Sequence, residues 1–464
     1  MRAQEKIKNK MSTWRREVAE VLNLSWPIVL SMLSYTAMDL ADTIFVGWLG
    51  TAELAAVGLA TTVFFVLNGF FFGALQGVTV VTSQSEGANH HRRAIDSAVA
   101  GLLLAIPFGL FVLFLSPFQE VIFAIMGGEP HVQAMAGDYF VIRTLGALGL
   151  FAMIVVCNHY QGLGDTRTPM VLTMVANGIN IIVDPLLIFG IGPFPAMGVE
   201  GAALATVMAQ FVGMALALGH FFRGRAVGGV RAVWRRCYQA VRDVGPAVLR
   251  LGLPMGVRNA VGVLAFGVFT AVLARMGTTE LAAHQIALKV ISVSFLPGYG
   301  IGRASGILAG QHVGADQDDH VANTLKASLT VALAFMGALG MCFWFFHGSI
   351  TSIFTPDEAT ARLAGQLLIV AALFQLTDAA AMVTSSTLDG CGDTRFTMLA
   401  GVTSSWVILV PCAWLFGFYF EGGAVGAWLA MVVHIFVLAL VLLTRFHSGR
   451  WRMYAQKERD AMVA

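Results

Sequence analysis

Apolar runs of roughly 20 residues, the length needed to cross a hydrocarbon layer about 30 Å thick, recur from Val18 to Leu443 with only short polar breaks between them. A backbone surrounded by lipid satisfies its own polar groups most simply as a helix, so the chain reads as an all-α membrane protein. Twelve transmembrane helices are predicted, over 18–46, 54–80, 94–118, 134–158, 169–190, 199–222, 246–274, 281–307, 321–347, 360–387, 396–418 and 424–445. Composition points the same way: 57% of residues are hydrophobic and 12% charged, against about 25% charged in soluble domains.

Where the charges lie sets the orientation. With the first residues inside, the cytoplasmic segments collect Arg15, Arg16, Arg92, Arg93, Arg167, the basic run from Arg223 to Arg242, Arg395 and the tail from Arg445 to Arg459. The outer connections carry mainly acids: Glu53, Glu120, Glu129, Glu200, Glu280, Asp357, Glu358 and Glu421. This asymmetry follows the positive-inside rule and requires an even number of crossings. The segment 1–17 is polar and basic, and no small-residue cleavage site follows it, so it is expected to stay uncleaved in the cytoplasm. The expected location is the cell inner membrane, multi-pass, with both termini cytoplasmic. The formal net charge of +2 gives no reason to expect a nucleic-acid partner. The five cysteines lack metal-ligand or CxxC spacing.

The chain also repeats itself. LGTAELAAVGLA at 49–60 aligns with MGTTELAAHQIA at 276–287, LSWP at 24–27 with LGLP at 251–254, and QGLGDTRTPM at 161–170 with DGCGDTRFTM at 389–398. Each repeat holds six spans, an even number. The halves therefore run in the same direction, related by a pseudo-twofold axis along the membrane normal, as in parallel-repeat transporters. The predicted organisation is a cytoplasmic segment 1–17, a first lobe 18–222, a linker 223–245, a second lobe 246–445 and a cytoplasmic tail 446–464, with a substrate path expected between the lobes.

In the order and duplication of these motifs, with LSWPIVL, DTIFVGWLG, HQIA and GVEGAALAT, the chain resembles the multidrug and toxic compound extrusion (MATE) family over nearly its whole length. The resemblance implies cation-coupled antiport of drug-like compounds, a monomer, H+ or Na+ as coupling ion and no other cofactor. It places the function on Asp42 in the first helix and on Asn180 and Asp184 in the fifth, where the pattern reads NxxxD. The sodium-coupled type named after norfloxacin efflux has an intramembrane Glu in the seventh helix, where this chain has Gly262. The tenth-helix acid persists as Asp378. That loss tilts the expectation toward coupling in the first lobe alone, which resembles the DNA-damage-inducible (DinF-like) branch.

Physical chemistry reaches the same residues. A carboxylate in mid-bilayer costs about 2.5–3.5 kcal/mol on insertion scales, so such residues normally face protein or a wet cavity and mark an ion path. Thr173, Asn177, Asn180 and Asp184 recur at steps of four, three and four, which lines one helical face. Ser31, Tyr35 and Asp42 form a similar row, and Pro27 loosens the helix below it. Pro185 frees the carbonyl of Ile181. Two carboxyls, an amide and a carbonyl form an all-oxygen environment that suits sodium or a shared proton, and carboxyls brought together in a low dielectric titrate as a unit. Further candidates for contact with cation or substrate are Asp39, Tyr35, Asn177, Thr206, Asn158, Gln76 and Asp378. Asp378 is expected either to bind a ligand or to pair with Arg258, Lys289 or Arg303. Asp138 and Arg143, near the outer end of the fourth helix where snorkelling is cheap, read as structural, and the Asp and Arg of each GDTR loop as paired across a turn.

Rival functions fit the sequence less well. GLGD at 162–165 and GCGD at 390–393 fit the GxGD string of intramembrane aspartyl proteases, but both fall in short cytoplasmic turns at repeat-equivalent places, and no HExxH or GxSxG is present. An enzyme is therefore not expected. A flippase for lipid-linked precursors would show a cationic cavity, whereas the first lobe offers acids. The favoured reading is export of drugs or toxic metabolites by alternating access.

Overall fold

The computed structural model describes residues 2–224, 231 and 236–463. Arg225 and Arg235 of the predicted linker lie outside the described residues. Among the described residues eleven helices are long and apolar enough to cross a bilayer, and the bent pair Pro130–Leu145 and Ala147–Gly162, counted as one span, makes twelve. In order they are Trp14–Gly47, Thr51–Gly87, His91–Met126, the bent pair, Arg167–Ile188, Gly198–Arg223, Arg236–Ala274, Thr278–Gly314, Asp318–Thr351, Glu358–Gly390, Thr394–Tyr419 and Gly423–His447, called below the first to twelfth spans.

The departures from regular helix have local causes. The fourth span bends by 48° at Gly146, where no proline intervenes. The second is interrupted at Gln76, and there Asn158 donates from Nδ2 to Leu75 O (3.0 Å) while its own carbonyl accepts from Thr79 Oγ1 (3.2 Å). The Asn158 side-chain amide thus supplies Leu75 O with a partner at the break. The two GDTR loops each turn on a left-handed glycine, Gly164 (φ 87°) and Gly392 (φ 89°), a conformation open to glycine at little cost.

The chain divides into two compact units: residues 30–86 with 90–256, and residues 1–29 with 87–89 and 257–464. Two of the divisions, at 29/30 and 256/257, fall two residues beyond a proline inside a helix, Pro27 and Pro254, at repeat-equivalent positions. In the first unit Phe71 packs on Phe108 and Phe151 with ring centroids 4.9 and 5.1 Å apart. Lipid tails are as apolar as these rings, so contact and close approach, rather than escape from water, hold such helices together. Backbones come close where a Cβ on Gly252 would strike Ala74 O. In the second unit the tail forms a helix, Trp451–Val463. Trp451 is buried, stacks on Phe446 at 5.4 Å and donates Nε1 to Phe446 O (3.1 Å). Arg459 holds the far end through Asp318 (2.8 Å) and Asp316 (3.1 Å).

Candidate ion-coupling site

The fifth span carries the site. Its i, i+3, i+4 stripe turns Asn177, Asn180 and Asp184 inward, with Asn180 and Asp184 fully buried, while Val171, Met174, Val175 and Ile182 stay on the outside of the protein. Asn180 Nδ2 donates to Asp184 Oδ1 (3.3 Å) and to Thr206 Oγ1 (3.4 Å) of the sixth span. Thr206 Oγ1 in turn donates to Ala202 O (3.0 Å), which fixes its lone pairs toward the amide. One turn away on the same span, Asn177 Nδ2 donates to Ser34 Oγ (3.1 Å) of the first span.

The first span delivers the second acid. The carboxyls of Asp42 and Asp184 lie within hydrogen-bonding reach of each other. Asp42 Oδ1, Asn180 Oδ1 and Asp184 Oδ2 are all buried and meet no donor among the described residues. Acceptor against acceptor is costly to bury, and only a shared proton or a bound cation relieves it. Three oxygens of a carboxyl pair and an amide suit a hard cation, so the residues present fit sodium as well as they fit a proton.

The remaining candidates separate. Tyr35 and Asp39 are exposed on the first span, in the electrostatic neighbourhood of Asp42. Asn158 and Gln76 belong to the break in the second span rather than to the acid pair. Asp378 is half-buried on the tenth span and does not receive Arg258, whose guanidinium grips Asp389 instead (Nη2 to Oδ2 2.8 Å, Nη1 to Oδ1 3.2 Å). Asp389 also accepts from Thr397 Oγ1 (2.5 Å).

The second GDTR loop differs from the expected cross-turn pairing. Asp165 caps its helix by accepting from the amides of Arg167 and Thr168 (3.1 and 3.0 Å). Asp393 is buried and paired with Arg445 of the twelfth span (2.8 Å), so its partner comes from another helix. Arg143, read as a snorkelling residue, instead acts electrostatically on Asp42, Asp184, Tyr35 and Tyr139. Its proximity to the outer end in the sequence concealed this.

A multi-pass α-helical protein in two units, with a carboxyl pair closed inside one of them, is the class that fold and site define. The pattern described as MatE matches residues 27–186 and 254–415, and the chain belongs to that family. It is 29% identical over 442 residues, 95% of this chain and 94% of the relative, to the "Probable multidrug resistance protein NorM" of Thermotoga maritima. The Rhizobium meliloti protein of the same name is 29% identical over 443 residues, covering 94% of each. Among solved structures, the outward-facing conformation of a multidrug resistance MATE family transporter of the MOP superfamily superposes with a TM-score of 0.85 at 23% identity, covering 96% of this chain and 97% of that one.

Proposed function

We propose that this protein is a multidrug efflux transporter that exports organic, often cationic compounds in exchange for H+ or Na+ entering at Asp42, Asn180 and Asp184. The observation that carries the reading is the contact between two carboxyls on different spans, with three buried acceptor oxygens that meet no donor among the described residues. The names borne by relatives that match along almost the full length support drug export.

The chemistry of exchange needs only competition. An ionised pair carries negative charge that a cationic substrate can neutralise. A proton shared between Asp42 and Asp184, or a sodium ion on their oxygens and Asn180 Oδ1, cancels that charge and draws the two spans together. Substrate is then released outward, and the ion's departure to the cytoplasm restores the vacancy. Pro27, which interrupts hydrogen bonding within the first span, gives that helix a place to bend as the pair closes. The exchange is therefore an alternating-access cycle by a multi-pass protein of the inner membrane, working as a monomer with no cofactor beyond the coupling ion.

Substrate-driven counterflow in proteoliposomes tests this. Under an imposed proton or sodium gradient, wild type should accumulate an organic cation, and Asp42→Asn should not. Export that persists undiminished in Asp42→Asn under both gradients would overturn the scheme.

A further inference from the structure

Pro27 of the first span and Pro254 of the seventh occupy equivalent places in the repeat, and each lies inside a continuous helix. A proline there removes one amide from the hydrogen-bond ladder and gives the helix a place to kink. One turn beyond Pro254, Arg258 sends both terminal guanidinium nitrogens to Asp389 of the tenth span, and Nη1 also donates to Ser385 Oγ (3.0 Å). Its Cγ and Cδ lie against Gly401 of the eleventh span, where a Cβ would come within 3.2 Å of each. Thr397 of the eleventh span donates to the same carboxylate. Three residues further along the seventh span, Val261 O accepts from Trp406 Nε1 (3.2 Å). The seventh span is thus tied to two neighbours in the second unit just past its proline.

The first half of the repeat replaces every member of this cluster. In place of Arg258, Ser385, Asp389 and Thr397 it has Ser31, Cys157, Gln161 and Pro169, so no ion pair can form there. At the place equivalent to Val261 stands Ser34, and the tie it makes is a neutral hydrogen bond from Asn177 Nδ2. Hydrogen bonds between ionised groups are roughly twice as strong as neutral ones. Two spans with the same proline are therefore held to their own units by ties of unequal strength.

We propose that Arg258, Ser385, Asp389 and Thr397 form a brace that keeps the seventh span in its continuous helical form across Pro254, leaving the first span as the one of the two equivalents that is free to bend. Net stability does not explain the pair, since a buried ion pair contributes little beyond what well-packed apolar residues of similar volume would. What it adds is geometry. The planar fork meets a carboxylate in one orientation, and a seventh span that tilted or rotated at Pro254 would lose both bonds together. The bending that the exchange scheme assigns to Pro27 is thereby confined to one half of the repeat, whichever ion drives exchange.

The test is hydrogen exchange read by mass spectrometry on the full-length protein in nanodiscs, which reports local opening along the chain. In wild type the amides of 28–34 should open about tenfold more often than those of the equivalent segment 255–261, the scale set by one hydrogen bond to a charged group. Arg258→Met with Asp389→Leu removes both charges together. It should raise opening over 255–261 by about tenfold or more, while 28–34 keeps its wild-type rate. Arg258→Lys, which keeps the charge without the two-point fork, should give a smaller rise confined to the same segment. Equal protection of the two segments in wild type, unchanged exchange over 255–261 in the double variant, or a rise spread evenly over both segments would overturn the proposal. The wild-type comparison needs no variant, so it decides the matter if the double change does not fold. None of these readouts involves Asp42 or Asp184, so the exchange scheme stands or falls separately.

Discussion

Asp42 of the first span and Asp184 of the fifth place their carboxyls within hydrogen-bonding reach of one another, and each keeps one buried oxygen that meets no donor among the described residues. A contact of this kind holds only while something positive sits in it. Replacing either acid by Asn supplies an N–H donor in place of the proton, so both variants should fold and hold the pair closed. Drug efflux should fall at least tenfold in each, with proton or sodium uptake lost in parallel, as read by ion flux into proteoliposomes. Efflux lost with ion uptake retained would separate the two and contradict a shared site.

Asn180 acts one step back from the ions. Its amide spans Asp184 and Thr206, fixing the carboxylate that receives the ion, while its Oδ1 is left for the ion itself. Asn180→Ala should weaken ion affinity about tenfold, within the range found when groups that orient a ligand are removed. Thr206→Val, which keeps the shape and removes only the acceptor, should weaken it less. Titration of ion-dependent transport with sodium and with pH would rank the two.

These residues were legible in the sequence because a polar side chain in an apolar run announces itself, and a stripe at helical spacing gives its direction. The twelve spans and the duplicated motifs were visible for similar reasons. Pairings across distant helices were not. Periodicity says that Arg258 lies inside a span, but not that it reaches Asp389. A hint existed in the repeat, since the first half has Gln161 where the second has Asp389: a charge gained by one repeat alone must be balanced within that half. Arg143 escaped because position along a helix measures depth, whereas the 48° bend at Gly146 determines what the side chain meets.

Outside the membrane, Asp357 caps the tenth span, accepting from the Thr360 hydroxyl (2.6 Å) and amide (2.9 Å). The Thr360 hydroxyl above all, then its amide, holds this carboxyl below the ordinary carboxylate range. A carboxyl depressed in the folded state contributes stability that is present above its unfolded value, near 3.9, and is lost as pH falls through the folded value. Hydrogen exchange should show the Thr360 amide protected at neutral pH and less protected in acid. Asp357→Ala should remove both the protection and its dependence on pH.

Close approach of helices makes a steric prediction. A Cβ on Gly252 would run into Ala74 O, and one on Gly77 into Val248 O, so the seventh and second spans touch backbone to backbone within their unit. Gly252→Leu inserts four carbons where none fits and should cost at least the ~1–3 kcal/mol typical of overpacking. Thermal unfolding in detergent should show a lowered midpoint, whereas Gly262→Leu, where nothing lies within 4 Å, should change it little.

Within the second unit, the two intramembrane acids of the tenth span make opposite predictions. Asp389 receives both guanidinium nitrogens of Arg258 and the Thr397 hydroxyl, and its side chain is 5% exposed against 20% for the arginine. Asp389→Ala leaves that arginine buried without its counter-charge, which typically costs ~3–5 kcal/mol. The paired change Arg258→Met with Asp389→Leu removes both charges and should recover most of the loss, because the pair's attraction largely offsets the cost of desolvating it. No guanidinium acts on Asp378 among the described residues, so Asp378→Asn should leave the unfolding free energy within about 0.5 kcal/mol of wild type. A midpoint lowered as far by Asp378→Asn as by Asp389→Ala would show that Asp378 too is held in a structural pair.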